Sequence, residues 1–155
     1  MSYDLKAVIA GRGLLDALTG DVSAARLVDL RQGLALLPMT DALSEMLTDA
    51  SRARHPAFWS LPAGFDQVLV EWSRTGPVAY VEAEYFGGVG QENAAVWRDG
   101  ELVLGPLHLA EGEPVPVEGT PVRQALRALG VSAGEDDEFT AAGLGAHRNN
   151  DEWSS

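Results

Sequence analysis

A chain of 155 residues is the size of one domain and can bury roughly two thirds of the surface its unfolded form exposes, so one core suffices. Apolar residues at 46% and charged residues at 22% fit a folded globular chain, and the absence of cysteine excludes disulfides, thiolate nucleophiles and cysteine-ligated zinc. The net charge is −12, and it is unevenly placed: residues 1–75 hold nine acids and seven bases, residues 76–155 fourteen acids and four bases. Such a field repels phosphate backbones and anionic lipid, which argues against nucleic acid and membrane as partners, and it steers a basic protein inward. No apolar run approaches the ~20 residues of a membrane span and no export signal is readable, so a cytoplasmic location is expected.

In chain order, residues 3–10 alternate as a strand, and Leu14 to Leu18 give a short helical turn that Gly20 can close. Residues 26–30 and 34–38 read as a hairpin joined through Arg31, Gln32 and Gly33. Thr40 or Asp41 caps a helix whose apolar positions Leu43, Met46 and Leu47 keep three-and-four spacing. Residues 51–63, broken by Pro56 and Pro62, form a long, locally basic loop. Phe65, Val68, Leu69 and Trp72 favour a helix over 64–75, although 68–72 also suits a strand. Thr120 and Pro121 open a second clear helix with Val122, Ala125, Leu126 and Leu129 on one face and Gly130 as its stop. From Gly134 the chain reads as an irregular acidic tail, with Phe139, Leu144 and Trp153 docking on the body.

The most informative stretch is 78–105, a three-stranded antiparallel meander. Asp99 and Gly100 make a two-residue turn that aligns Arg98 with Glu101 and Trp97 with Leu102. A four-residue turn over Gly87, Gly88 and Gly90 sets the other register. Ala79, Val81, Ala83 and Tyr85 then share a face with Ala94, Val96 and Val103 for helix packing. The opposite face gathers Tyr80, Glu82, Glu84 and Phe86, facing Trp97, Ala95, Asn93 and Gln91, with Leu102 and Leu104 beyond. Glu82 and Glu84, two residues apart, project side by side and are placed to share a proton, a cation or an amine. The same spacing is what a solvent-facing strand shows.

Other chemistry is sparse. The glycines lie between two strands and lack the helix N-terminus that a phosphate loop needs. His55, His108 and His147 have no paired ligand spacing, and no nucleophile elbow or Walker sequence is present, so no catalytic residue, metal site or cofactor is assigned. Arg12, Arg52, Arg54 and Arg74 are candidates to pair with the acidic second half. That pairing folds the long loop over the mixed face, making a pocket walled by Phe58 and Trp59.

The string VAYVEAEYFGGVGQENAAVW, with LGP at 104–106 and DEF and GLGAHRNN in the tail, resembles a group of uncharacterised small acidic proteins from GC-rich bacteria, actinobacteria in particular. The resemblance covers about half of the chain and implies no activity to carry over. The small, acidic α+β character is also similar in style to immunity proteins that neutralise bacterial toxins.

The expectation is a single α+β domain over 1–155, with a mainly antiparallel sheet of about five or six strands, the meander at its centre and helices on at least one face. The favoured role is a non-enzymatic, immunity-like binder of a basic protein, using Tyr80, Glu82, Glu84, Phe86, Gln91, Asn93 and Trp97. A free sheet edge can support a homodimer. The alternative is a small-molecule binder or hydrolase built on the Glu82/Glu84 pair.

Overall fold

The computed structural model describes residues 2–87, 89–135 and 137–154. Gly88, named above as part of the first meander turn, and Asp136, within the acidic tail, lie outside the described residues. One six-stranded antiparallel sheet organises the chain. Its strands are β1 (Ser2–Gly11), β2 (Val28–Asp29), β3 (Leu34–Pro38), β4 (Val78–Phe86), β5 (Val89–Arg98) and β6 (Glu101–Leu109). Their spatial order is β2-β3-β1-β4-β5-β6. The antiparallel α+β expectation holds, with one correction: the meander fills one half of the sheet and ends at an edge, while β1 and β4 form the central pair. The reason is that β1 pairs with β4 on one side and β3 on the other, so the N-terminal strand separates the hairpin from the meander.

Helices cover both faces. On one lie α1 (Arg12–Thr19), α2 (Asp41–Leu47), the long loop and α3 (Phe65–Trp72), which supply Leu15, Leu43, Phe58, Leu61, Phe65 and Leu69 to a core against Val8, Leu37, Tyr80 and Trp97. On the other lie α4 (Pro121–Ala128) and α5 (Glu138–Ala142), packed with Leu144 and Trp153 over Leu5, Ile9, Val81 and Val96. Each buried strand therefore faces apolar neighbours on both sides, which explains the near-continuous apolar run of β3.

Local chemistry explains the elements. The Thr40 hydroxyl accepts from the Leu43 N–H, and the Thr120 hydroxyl from the Arg123 N–H, as capping predicts. Residues 65–72 resolve as helix because Phe65 and Leu69, one turn apart, are fully buried. Gln32 and Gly33, and Asp99 and Gly100, have positive φ at both positions, the mirror-image turn that tight hairpins need.

Four expectations need adjustment. The first meander turn is shorter than read, pairing Phe86 with Val89, so Glu82 faces Asn93 and Glu84 faces Gln91. A slip of two residues keeps every face but changes every partner. Gly90 lies within β5, where a side chain would strike the Tyr85 ring at 2.4 Å. Irregular pairing between β5 and β6 leaves Val103 51% exposed and sends Leu104 to the α4 face instead. Lastly, the tail read as irregular carries α5, where the Asp137 carboxylate accepts from the Thr140 N–H, followed by 3-10 turns at Leu144–Ala146 and Asn150–Ser154.

Candidate functional site

The predicted mixed face divides into a buried part and an exposed part. Tyr80, Glu82, Asn93 and Trp97 are buried in the core beneath the long loop. Glu82 is fully buried, and four donors surround it. Oε1 accepts from the Trp59 N–H at 2.8 Å and the Asn93 amide at 3.1 Å; Oε2 accepts from the Ser60 N–H at 2.7 Å and the Tyr80 hydroxyl at 2.8 Å. A carboxylate offers about four acceptor positions, so this one is saturated. Because the Asn93 amide nitrogen donates to Glu82, its oxygen faces His108 Nδ1 at 2.6 Å, which assigns the proton of that contact to the histidine.

The long loop does fold over this face, but its backbone amides on Glu82 hold it there rather than ion pairs between its arginines and the acidic half. Phe58 is buried edge-on against Tyr80, with ring centroids 5.1 Å apart, and fills the space that a pocket would need. The expected pairing of arginines with the acidic half is not what forms: Arg12 pairs with Asp16 and Asp29, Arg52 with Asp49, and Arg74 with Glu71. Three of these four contacts lie three or four residues apart along the chain, where little entropy is lost on pairing. Arg54 donates to the Trp59 carbonyl oxygen and so steadies the loop at the residue that touches Glu82.

Glu84, Phe86 and Gln91 belong instead to the outer end of the sheet. Phe86 is 77% exposed and Val89 45%, and together with Glu84, Gln91 and Glu111 they line a shallow depression. Glu82 and Glu84 share a face but not an environment, one being saturated beneath the loop and the other exposed.

The opposite face holds a site that sequence reasoning passed over. Glu92 is 5% exposed; its Oε1 accepts from the Val122 N–H in the first turn of α4 at 2.9 Å, and its Oε2 accepts a short hydrogen bond from the Tyr85 hydroxyl. The partial positive charge of the helix N-terminus favours the carboxylate there. Tyr3 stands directly opposite Tyr85 in the β1–β4 register, donates from its hydroxyl to the Leu144 carbonyl oxygen, and meets Phe139 edge-on at 5.4 Å. Tyr3, Tyr85, Glu92 and Phe139, with Thr120, Arg123 and Asp137, line an open recess of about 370 Å³. Burial first, and then the Glu92 carboxylate, push the phenols of Tyr3 and Tyr85 well above the ordinary tyrosine range. Nearby, Glu138 is buried between Arg123 and Arg127, each at 3.3 Å. Burial acts to raise its pKa, but hydrogen bonding and the two guanidiniums outweigh that and hold it below the usual carboxylate range.

A signal for Glu92 was present in the sequence. Gln91, Glu92 and Asn93 are three consecutive polar residues in a strand, so one of them must point into the apolar face. Tyr3 and Phe139 carried no such signal, since only the register and the docked tail bring them to Glu92.

Among the described residues no helix is long and apolar enough to cross a membrane. No group of three or more His, Cys, Asp or Glu side chains suited to a metal ion occurs among those residues. Comparison with protein-family models, with curated proteins and with solved structures gave no match.

Proposed function

We propose that this chain is a non-enzymatic, cytoplasmic binding protein that grips a basic protein partner at the outer end of its sheet. The carrying observation is Phe86, 77% exposed at the rim of a depression with Val89, Glu84, Gln91 and Glu111. An aromatic anchor beside carboxylates suits a lysine or arginine, whose stem packs on the ring while its charge meets the acids. The net charge of −12 accelerates the approach of such a partner. A second copy would bring the same charge to the same surface, which favours a basic partner over self-association. An immunity-like role, in which the partner is a basic toxin, fits this reading. The hydrolase alternative loses support because Glu82 has no acceptor position left for a substrate proton or water.

Affinity capture from the source cell tests the reading, with the wild type compared to a Glu84→Lys, Phe86→Ala double variant. Both residues are exposed, so the variant should melt with the wild type. The expected result is a basic protein retained by the wild type, released as salt rises from about 0.05 M to about 0.5 M, and bound at least about tenfold more weakly by the variant. Equal capture by the variant, or binding indifferent to salt, would rule out this surface.

A further inference from the structure

We propose that the recess around Glu92 binds a monovalent organic cation of the alkylammonium class, held between the rings of Tyr3, Tyr85 and Phe139 and the Glu92 carboxylate. This assignment does not depend on the basic-partner surface at Phe86.

The walls come first. Three of the seven residues lining the recess are aromatic, and each of the three is only partly buried, so part of each side chain stays accessible. Tyr3 and Tyr85 are side by side through their strand register, and Phe139 is braced against Tyr3 at 5.4 Å. The Tyr85 ring is also fixed from below, because it occupies the space over Gly90 that any larger residue would claim. Aromatic rings arranged around a space attract a cation through their quadrupoles, most strongly where water is displaced.

The charge comes second. Glu92 is nearly buried and accepts two hydrogen bonds, one on each oxygen, which leaves each oxygen an acceptor position to spare. In this it differs from Glu82, whose positions are all taken. The lining holds two carboxylates, Glu92 and Asp137, against one guanidinium, that of Arg123, leaving one negative charge for a guest to neutralise. Arg123 is tied to Glu138 and folded over Gly119, so it stands as a wall and disfavours a doubly charged guest.

The kind of cation follows from both. A hard metal ion needs about six oxygen ligands to replace its water, and hydrocarbon rings do not supply them. An alkylammonium is less strongly hydrated than a hard metal ion and presents methyl or methylene surface to the rings and its charge to the carboxylate. A volume of about 370 Å³ accommodates a small amine.

The test is an amide NMR titration of the full chain with tetramethylammonium, with n-butylammonium and with neutral tert-butanol. The expected result is saturable shifts centred on Tyr85, Gly90, Glu92 and Val122 for the ammonium ions only. Glu92→Gln keeps acceptor capacity for the Val122 N–H while removing the charge, and should weaken binding about tenfold. Phe139→Leu keeps apolar bulk without the ring and should weaken it about threefold. The Glu84→Lys, Phe86→Ala variant should bind the ions as the wild type does. Shifts that stay linear in concentration, tert-butanol binding as well as the ammonium ions, or undiminished binding by both Glu92→Gln and Phe139→Leu would each overturn the proposal. Loss of binding in the Glu84→Lys, Phe86→Ala variant would do so as well, by moving the cation to the Phe86 surface.

Discussion

Glu82 on β4 and Glu92 on the neighbouring β5 are both buried carboxylates, and their surroundings give them opposite prospects. Glu82 spends every acceptor position on the loop and on its own strands, so its role is to fix residues 59–60 over the core. Glu82→Gln would place an amide against two hydrogen-bond donors, and is expected to cost about 3 kcal/mol. Urea unfolding should show a lower midpoint at an unchanged slope, and hydrogen exchange should quicken at Trp59 and Ser60. A further residue-level consequence is alkaline behaviour. All three tyrosines are held above their ordinary value of 10.0: Tyr3 and Tyr80 first by burial and then by neighbouring carboxylate charge, Tyr85 by burial and then by its hydrogen bond to Glu92. The folded chain thus keeps protons that the unfolded chain loses near pH 10, so this contribution is complete below about pH 10 and falls as pH rises through the raised folded values. Phenolate absorbance should therefore lag behind that of free tyrosine and then appear together with loss of the circular dichroism of the fold. Phenolate forming near pH 10 in a chain that stays folded would contradict these assignments.

At the scale of elements, helix α4 links the apolar core to the recess around Glu92. Thr120 caps it and Pro121 opens it. Val122, Ala125 and Leu126 bury its apolar face, while its first-turn N–H holds Glu92. Thr120→Ala is expected to cost about 1 kcal/mol through the lost cap. It should also loosen the first turn, seen as faster exchange at the Arg123 amide. Capping and periodicity made this helix legible from sequence, as they did α2, because those signals are local; α3 rested on periodicity alone, which left residues 68–72 open to a strand. Helix α5 was missed for the opposite reason: five residues are too few for a period, and its Asp137 cap sits in a run of acids that reads as a solvated tail. The meander strands were legible from alternation. Their register was not, since Gly87 and Gly90 offer several turn lengths and a two-residue slip leaves the faces unchanged.

For the whole molecule, alternation, turn chemistry and caps together determined the class: one antiparallel sheet with helices, in a strongly acidic chain. Those properties depend on residues close in sequence, and a linear reading reaches them. What only the tertiary structure decided depends on distant pairings. The insertion of β1 beside β4 pushed the meander to one half of the sheet and put Tyr3 against Tyr85. The descent of the long loop buried Glu82, and so separated it from Glu84 although the two share a strand and a face. The docking of the tail brought Phe139 to Glu92. Whether a carboxylate is saturated or left with an open acceptor is set by the donors that reach it, and for Glu82 and Glu92 those that come from other elements arrive only when the chain closes on itself.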